Sequence, residues 1–107
     1  MTLEEFEELE REPVEEIKIG ESLIVLDDLA LESKDYNITV RTGVWCEKDK
    51  TGEFEPDWGL TLIHKTGDSP ENYLYIEQGN IFSTLNNYAN IADIDIEHLY
   101  DALDIAA

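Results

Sequence analysis

The alternation of apolar and polar positions divides the chain into a sheet-forming middle and helical ends. Residues 36–46 carry the clearest strand pattern. Tyr36, Ile38, Val40, Thr42, Val44 and Cys46 fall on one face, and Asn37, Thr39, Arg41, Gly43 and Trp45 on the other. Residues 57–66 return as a second strand, with Trp58, Leu60, Leu62 and His64 sharing a face. The intervening Asp49-Lys50-Thr51-Gly52 has the chemistry of a hairpin turn with a left-handed glycine. After a second turn at Gly67-Asp68-Ser69-Pro70, residues 72–77 predict a third strand, with Tyr73 and Tyr75 opposite Leu74 and Ile76. Upstream, Ile17 and Ile19 alternate with Glu16 and Lys18, Gly20 breaks the pattern, and residues 22–26 read as a short strand buried on both sides. Residues 27–35 mix acids with Leu29, Ala30 and Leu31 and fit either a loop or a helical turn.

The ends have the helical period. Thr2 followed by Glu5 fits a capping box, and Leu3, Phe6 and Leu9 make a thin apolar stripe, predicting a helix over residues 2–12 that Pro13 stops. So thin a stripe predicts weak docking, and loss of residues 1–12 without loss of the fold. Asn80 is a candidate cap for a helix whose stripe is Ile81, Phe82, Leu85, Tyr88 and Ala89. Its other face, Ser83, Thr84, Asn86, Asn87 and Asn90, is uncharged, and Asn90 suits a left-handed stop. A last helix starts near Asp93 or Asp95, with Ile96, Leu99, Tyr100 and Leu103 on its apolar face. The fold class expected is α+β: one domain over residues 1–107, a small antiparallel sheet of four or five strands, an N-terminal acidic helix, and two C-terminal helices packed on one face.

Charge changes the picture most. Twenty-six acids against seven bases leave −19 on 107 residues, about one net negative charge per 300 Å² of the surface that size implies. The charge is uneven: −10 in residues 1–35, −2 in residues 36–70 and −7 in residues 71–107, where there is no base at all. The pattern does not say whether the two acidic ends form one face or two poles. Direct binding to nucleic acid or to anionic lipid is excluded in practice, since both need cations. The longest apolar run, residues 23–26, is far too short to span a bilayer, and the opening residues have no basic, apolar leader. With a single cysteine, Cys46, a reducing cytoplasm is the expected location. Salt adaptation explains the acids poorly, because Glu outnumbers Asp sixteen to ten and Ile outnumbers Val eleven to four.

Candidate chemistry is sparse. No nucleophile elbow or phosphate-binding loop is present. His64 and His98 read as structural or solvent-facing. The alternating acids Asp93, Asp95 and Glu97 are not an EF-hand, which would then need Gly and Glu where His98 and Asp104 stand. One Cys and two distant His make no zinc site. Acids beside Cys46 deactivate its thiol. The expectation is therefore no enzyme, no catalytic residue, no metal and no cofactor.

The acids themselves remain. A glutamate-studded helix, rising about 1.5 Å per residue, approaches the charge density of a duplex, with one charge per about 1.7 Å. In size and charge, though in no motif, the chain resembles the small acidic inhibitors of phages and mobile elements, antirestriction and anti-CRISPR proteins among them. That resemblance implies a DNA mimic that fills the basic cleft of a nuclease or of a CRISPR or restriction effector. The alternative is an immunity protein or antitoxin that neutralises a basic nuclease toxin. The expected contact residues are Glu4, Glu5, Glu7, Glu8, Glu10, Glu12, Glu15, Glu16, Asp27, Asp28, Asp93, Asp95, Glu97, Asp101 and Asp104, with Trp45 as an anchor.

Overall fold

A computed structural model describes residues 1–33 and 35–106; Lys34, inside the ambiguous segment 27–35, lies outside the described residues. The architecture is α+β. Helix α1 (Leu3–Glu8) precedes strands β1 (Pro13–Ile19), β2 (Ser22–Glu32), β3 (Ile38–Lys48), β4 (Phe54–Lys65) and β5 (Tyr73–Gln78), and helices α2 (Ile81–Ala92) and α3 (Ile96–Ala102) follow. The strands form one antiparallel meander in the order β1-β2-β3-β4-β5. Gly52 and Gly67 take the positive φ that the two turns require.

The segment with no clear pattern, residues 27–35, continues β2 as far as Glu32. Register slips between Leu26 and Ala30 opposite β3, so a bulge shifts the alternation and hides the strand from a period-two reading.

Both faces of the sheet are apolar. One carries Leu31, Val40 and Ile63 in cross-strand register. Leu3, Phe6, Ile81, Leu85, Ala89, Leu99 and Leu103 from the three helices pack there. The other carries Ile17, Ile24, Leu26, Leu60 and Leu62, and no helical residue joins that cluster. Ile24, Leu26 and Leu62 are nevertheless fully buried. Curvature accounts for this. Gly43 sits between Leu26 and Leu60 in register. A Cβ added there would meet the Val25 carbonyl oxygen at 2.3 Å and Leu26 Cδ2 at 3.0 Å. Glycine lets β2 close on β3, and the sheet wraps its own side chains on the concave side.

Helix α1 departs from expectation twice. It spans six residues rather than eleven, with Leu9 already extended and 42% exposed. It is also firmly docked: Leu3 and Phe6 are 2% and 3% exposed. The capping box is present as expected, with the Thr2 hydroxyl accepting from Glu5 N–H at 3.1 Å. Beyond the helix the chain turns inward. Arg11 donates to the Phe6 carbonyl (2.7 Å) and to the Thr42 hydroxyl (2.8 Å), and lies 4.8 Å from the Phe6 ring centre. Two buried side chains thus tie down a segment whose stripe looked thin. At the far end, Asp93 rather than Asn90 supplies the left-handed cap of α2 (φ 56°), and Thr84 is fully buried rather than facing away, its hydroxyl donating to the Asn80 carbonyl.

Two outcomes follow for urea unfolding. Phe6→Ala should cost about 3–5 kcal/mol, as for other buried Phe truncations, so removal of residues 1–12 should unfold or grossly destabilise the domain. Gly43→Ala should destabilise by at least about 1–3 kcal/mol through overpacking. Gly59→Ala, whose Cβ would come no closer than 3.9 Å to a heavy atom, should be close to neutral.

Candidate functional site

The two acidic ends meet. Thr2 and Ala106 form a parallel bridge, and Ala106 N–H donates to the Met1 carbonyl at 2.7 Å. Both ends lie on the helix-bearing face, because Leu3 and Phe6 share one core cluster with Leu99, Leu103 and Ile105. The −10 and −7 thirds of the chain therefore contribute to one face and not to two poles. Glu4, Glu5, Glu7, Glu8, Glu10, Glu12, Asp93, Asp95, Glu97, Asp101 and Asp104 are all exposed in this layer. The only Lys or Arg within residues 1–12 and 81–106 is Arg11, and it donates to Thr42 of the sheet; His98 is exposed on α3.

Local structure explains where several of these acids sit. Glu5 completes the capping box of α1. Asp95 caps α3, accepting from Glu97 N–H at 2.9 Å. Asp93 and Asp104 occupy left-handed positions (φ 56° and 61°) that aspartate tolerates better than most residues. Glu4 lies beside α3, lining a recess of about 280 Å³ with Thr2, Phe82, Tyr100 and Ala106.

Not every expected acid belongs to this surface. Asp27 is only 9% exposed. Its carboxylate accepts from the Thr42 hydroxyl and from Leu29 N–H, and lies 3.8 Å from Arg11. It is consumed by the bulge in β2 and is removed from the contact set. Glu15 pairs with Arg41, whose guanidinium also donates to the Asp27 carbonyl at 2.6 Å; the pair lies on the concave face, away from the helices. Glu16, one residue on, shares the helix-bearing face with Val25. Asp28 is exposed, with one carboxylate oxygen accepting from Glu12 N–H at 3.1 Å. The two arginines that hold the bulge were not among the expected functional residues. The available signal was Arg41 itself, the one charged residue on the strand face of Asn37, Thr39, Gly43 and Trp45.

Trp45 and Trp58 are directly opposed in register and stacked, with ring centres 5.1 Å apart and planes 6° from parallel. Both are half-buried and close one end of the concave face. Trp45 donates its indole N–H to Glu47, which also accepts from Ser22; these two bonds hold the Glu47 carboxyl below the usual range. Trp45 is thus tied to the fold, which weakens it as a free anchor.

The uncharged side of α2 is partly internal in its bonding. Asn87 donates to Glu77 at 2.9 Å, and Asn86 donates to the Phe82 carbonyl. His64 is 5% exposed, with Nδ1 donating to the Lys65 carbonyl at 2.9 Å. Burial, aided by Glu16, pushes the Cys46 thiol up, away from the thiolate a nucleophile needs. Among the described residues no group of three or more His, Cys, Asp or Glu is placed to hold a metal, and no helix is long and apolar enough to cross a membrane.

Comparison with protein-family models, with curated protein sequences and with solved structures returned no match.

The Trp45–Glu47 bond yields a prediction. A carboxyl lowered in the fold contributes stability that is present above its unfolded pKa and lost as pH falls through its folded pKa. Tryptophan emission should therefore report a transition with a midpoint below the ordinary glutamate value of about 4.3. Glu47→Gln should abolish that transition while the protein remains folded.

Proposed function

We propose that this chain is an acidic inhibitor that mimics nucleic acid: its helix-bearing face enters the basic cleft of a DNA- or RNA-binding protein and excludes the nucleic acid. One observation carries the reading. The Thr2–Ala106 bridge gathers the acids of both ends on one layer whose single Lys or Arg donates to the sheet. The net charge opposes folding through self-repulsion, and concentrating it on one layer raises that cost. A surface assembled against this cost, with exposed carboxylates from α1, α3 and their flanks on one layer, suits a partner that supplies Lys and Arg.

The geometry refines the form of the mimicry. With six residues, α1 rises only about 9 Å, too short to stand in for a stretch of duplex. The mimic is a patch in which α1, the 10–12 linker and the ends of α2 and α3 each contribute carboxylates. A defence nuclease, restriction enzyme or CRISPR effector is the class of partner proposed, in a cytoplasmic setting and with no catalysis by this chain. An immunity protein against a nuclease toxin would use the same physics, and the identity of the partner separates the two.

The test is capture. The protein is immobilised, exposed to nuclease-treated lysate and eluted with salt. A single nucleic-acid enzyme should elute at several hundred millimolar salt and be displaced by DNA or RNA. Glu4→Lys/Glu7→Lys/Glu8→Lys, which spares the capping residue Glu5, should retain the thermal transition. It should lose at least tenfold in affinity for that enzyme and reduce the slope of log K against log salt. A spread of basic proteins leaving at low salt would refute the proposal.

A further inference from the structure

The helices cover only part of their face of the sheet. They pack over Leu31, Ile38, Val40 and Ile63 and end at Arg11. Beyond it, on the same face, Val25, Val44, Cys46 and Pro56 floor a recess of about 470 Å³, bounded by Pro13, Asp27 and Thr42. That volume falls within the ~300–1,000 Å³ of ordinary ligand sites. Val25 and Val44 are only half-buried. The recess adjoins the acidic layer: Arg11 and Thr42 also line the neighbouring cleft that runs to Glu7 and to Asn80 at the start of α2.

We propose that this recess is the anchor site of the interface, taking one apolar side chain from a basic segment of the partner. The inference rests on the proposed function for the source of that segment.

The charge around the recess selects the occupant. Arg11, at its inner end, donates to Phe6 and Thr42 and stands 3.8 Å from Asp27, which partly offsets its charge there. Glu16 stands beside Val25 in register, and its charge reaches Cys46 in the floor. Exposed Glu10 and Glu12 lead directly into Pro13. Lys18, opposite Leu23, and Lys48, two residues beyond Cys46 on the same strand face, are the bases at its far end. An apolar floor that adjoins the acidic layer complements an apolar side chain flanked by Lys or Arg, the side chain in the recess and its neighbours against the carboxylates. The division of labour is physical. Exposed ion pairs are screened and contribute little each, whereas a desolvated apolar anchor contributes affinity that salt does not remove.

The test uses synthetic peptides and does not require the partner. One carries a leucine flanked on each side by two lysines; one replaces the leucine with serine; one replaces the lysines with serines. The chain has four valines, so their methyl resonances resolve readily. The leucine–lysine peptide should shift the Val25 and Val44 methyls saturably and bind at least fivefold more tightly than the serine–lysine peptide. Val25→Thr/Val44→Thr, which keeps the branched shape, should remove that difference and leave the salt slope unchanged. Equal binding of the leucine and serine peptides with no shift at Val25 or Val44 would overturn the anchor. Equal binding by the uncharged leucine peptide would overturn the basic partner. If capture fails while the leucine–lysine peptide binds as described, the function falls and the recess stands. If a captured enzyme binds Val25→Thr/Val44→Thr as it binds the parent, the recess alone falls.

Discussion

A five-stranded meander with apolar residues on both faces must bury two surfaces, and the short helices reach only one of them. Coiling of the sheet meets this constraint, and coiling depends on the close approach of β2 to β3 at Gly43, where a Cβ would overlap the Val25 carbonyl. With the concave face self-covered, α1, α2 and α3 can all pack on the other face. Their shared use of that face brings Thr2 to Ala106. The acidic layer therefore depends on the helices' shared face as much as on acidic composition. Were the sheet flat, a helix would be needed on each face and the two ends of the chain would be drawn apart.

The two internal arginines make the same point from the polar side. The bulge in β2 leaves backbone and carboxylate acceptors inside the sheet, and an unpaired buried acceptor costs about 1–3 kcal/mol. Arg41 reaches the Asp27 carbonyl from the concave side, and Arg11 approaches the Asp27 carboxylate from the helix side. A chain with seven bases thus commits two of them to its interior. For Arg11 the consequence is electrostatic as well as structural, because its bonds to Phe6 and Thr42 hold its guanidinium against the sheet and not among the carboxylates of α1.

Much of this fold was legible in the sequence, and the losses have specific causes. The strands from Ile38 onward, both glycine turns, the caps at Thr2 and Asn80, a last helix starting at one of Asp93 and Asp95, and the α+β class follow from periodicity and local chemistry. The second half of β2 was hidden because a bulge breaks a period-two pattern. The firmness of α1 was hidden because a helix with two buried residues has almost no periodic signal, yet Leu3 and Phe6 fill the core completely. Asp27 looked like one more surface acid because no pattern marks the residue that will face a bulge. The meeting of the termini was not legible at all, since it depends on how three helices share one face.

The same geometry limits how the acidic layer can act. At about 4 Å in a surface dielectric of roughly 20, a carboxylate–cation pair has a Coulomb energy of about 4 kcal/mol; desolvation, side-chain ordering and salt reduce exposed pairs to about 0–1 kcal/mol. Under the proposed function, nucleic acid competing for the same cleft would enjoy the same attraction, so carboxylates alone would give the protein no advantage over the polymer. What distinguishes the protein is contact chemistry that a phosphate backbone does not offer. On the helix-bearing face that chemistry lies where the helices stop, along Val25, Val44, Cys46 and Pro56. An inhibitor of the proposed kind would draw its approach and orientation from charge, and its preference over nucleic acid from the apolar ground beside the charge.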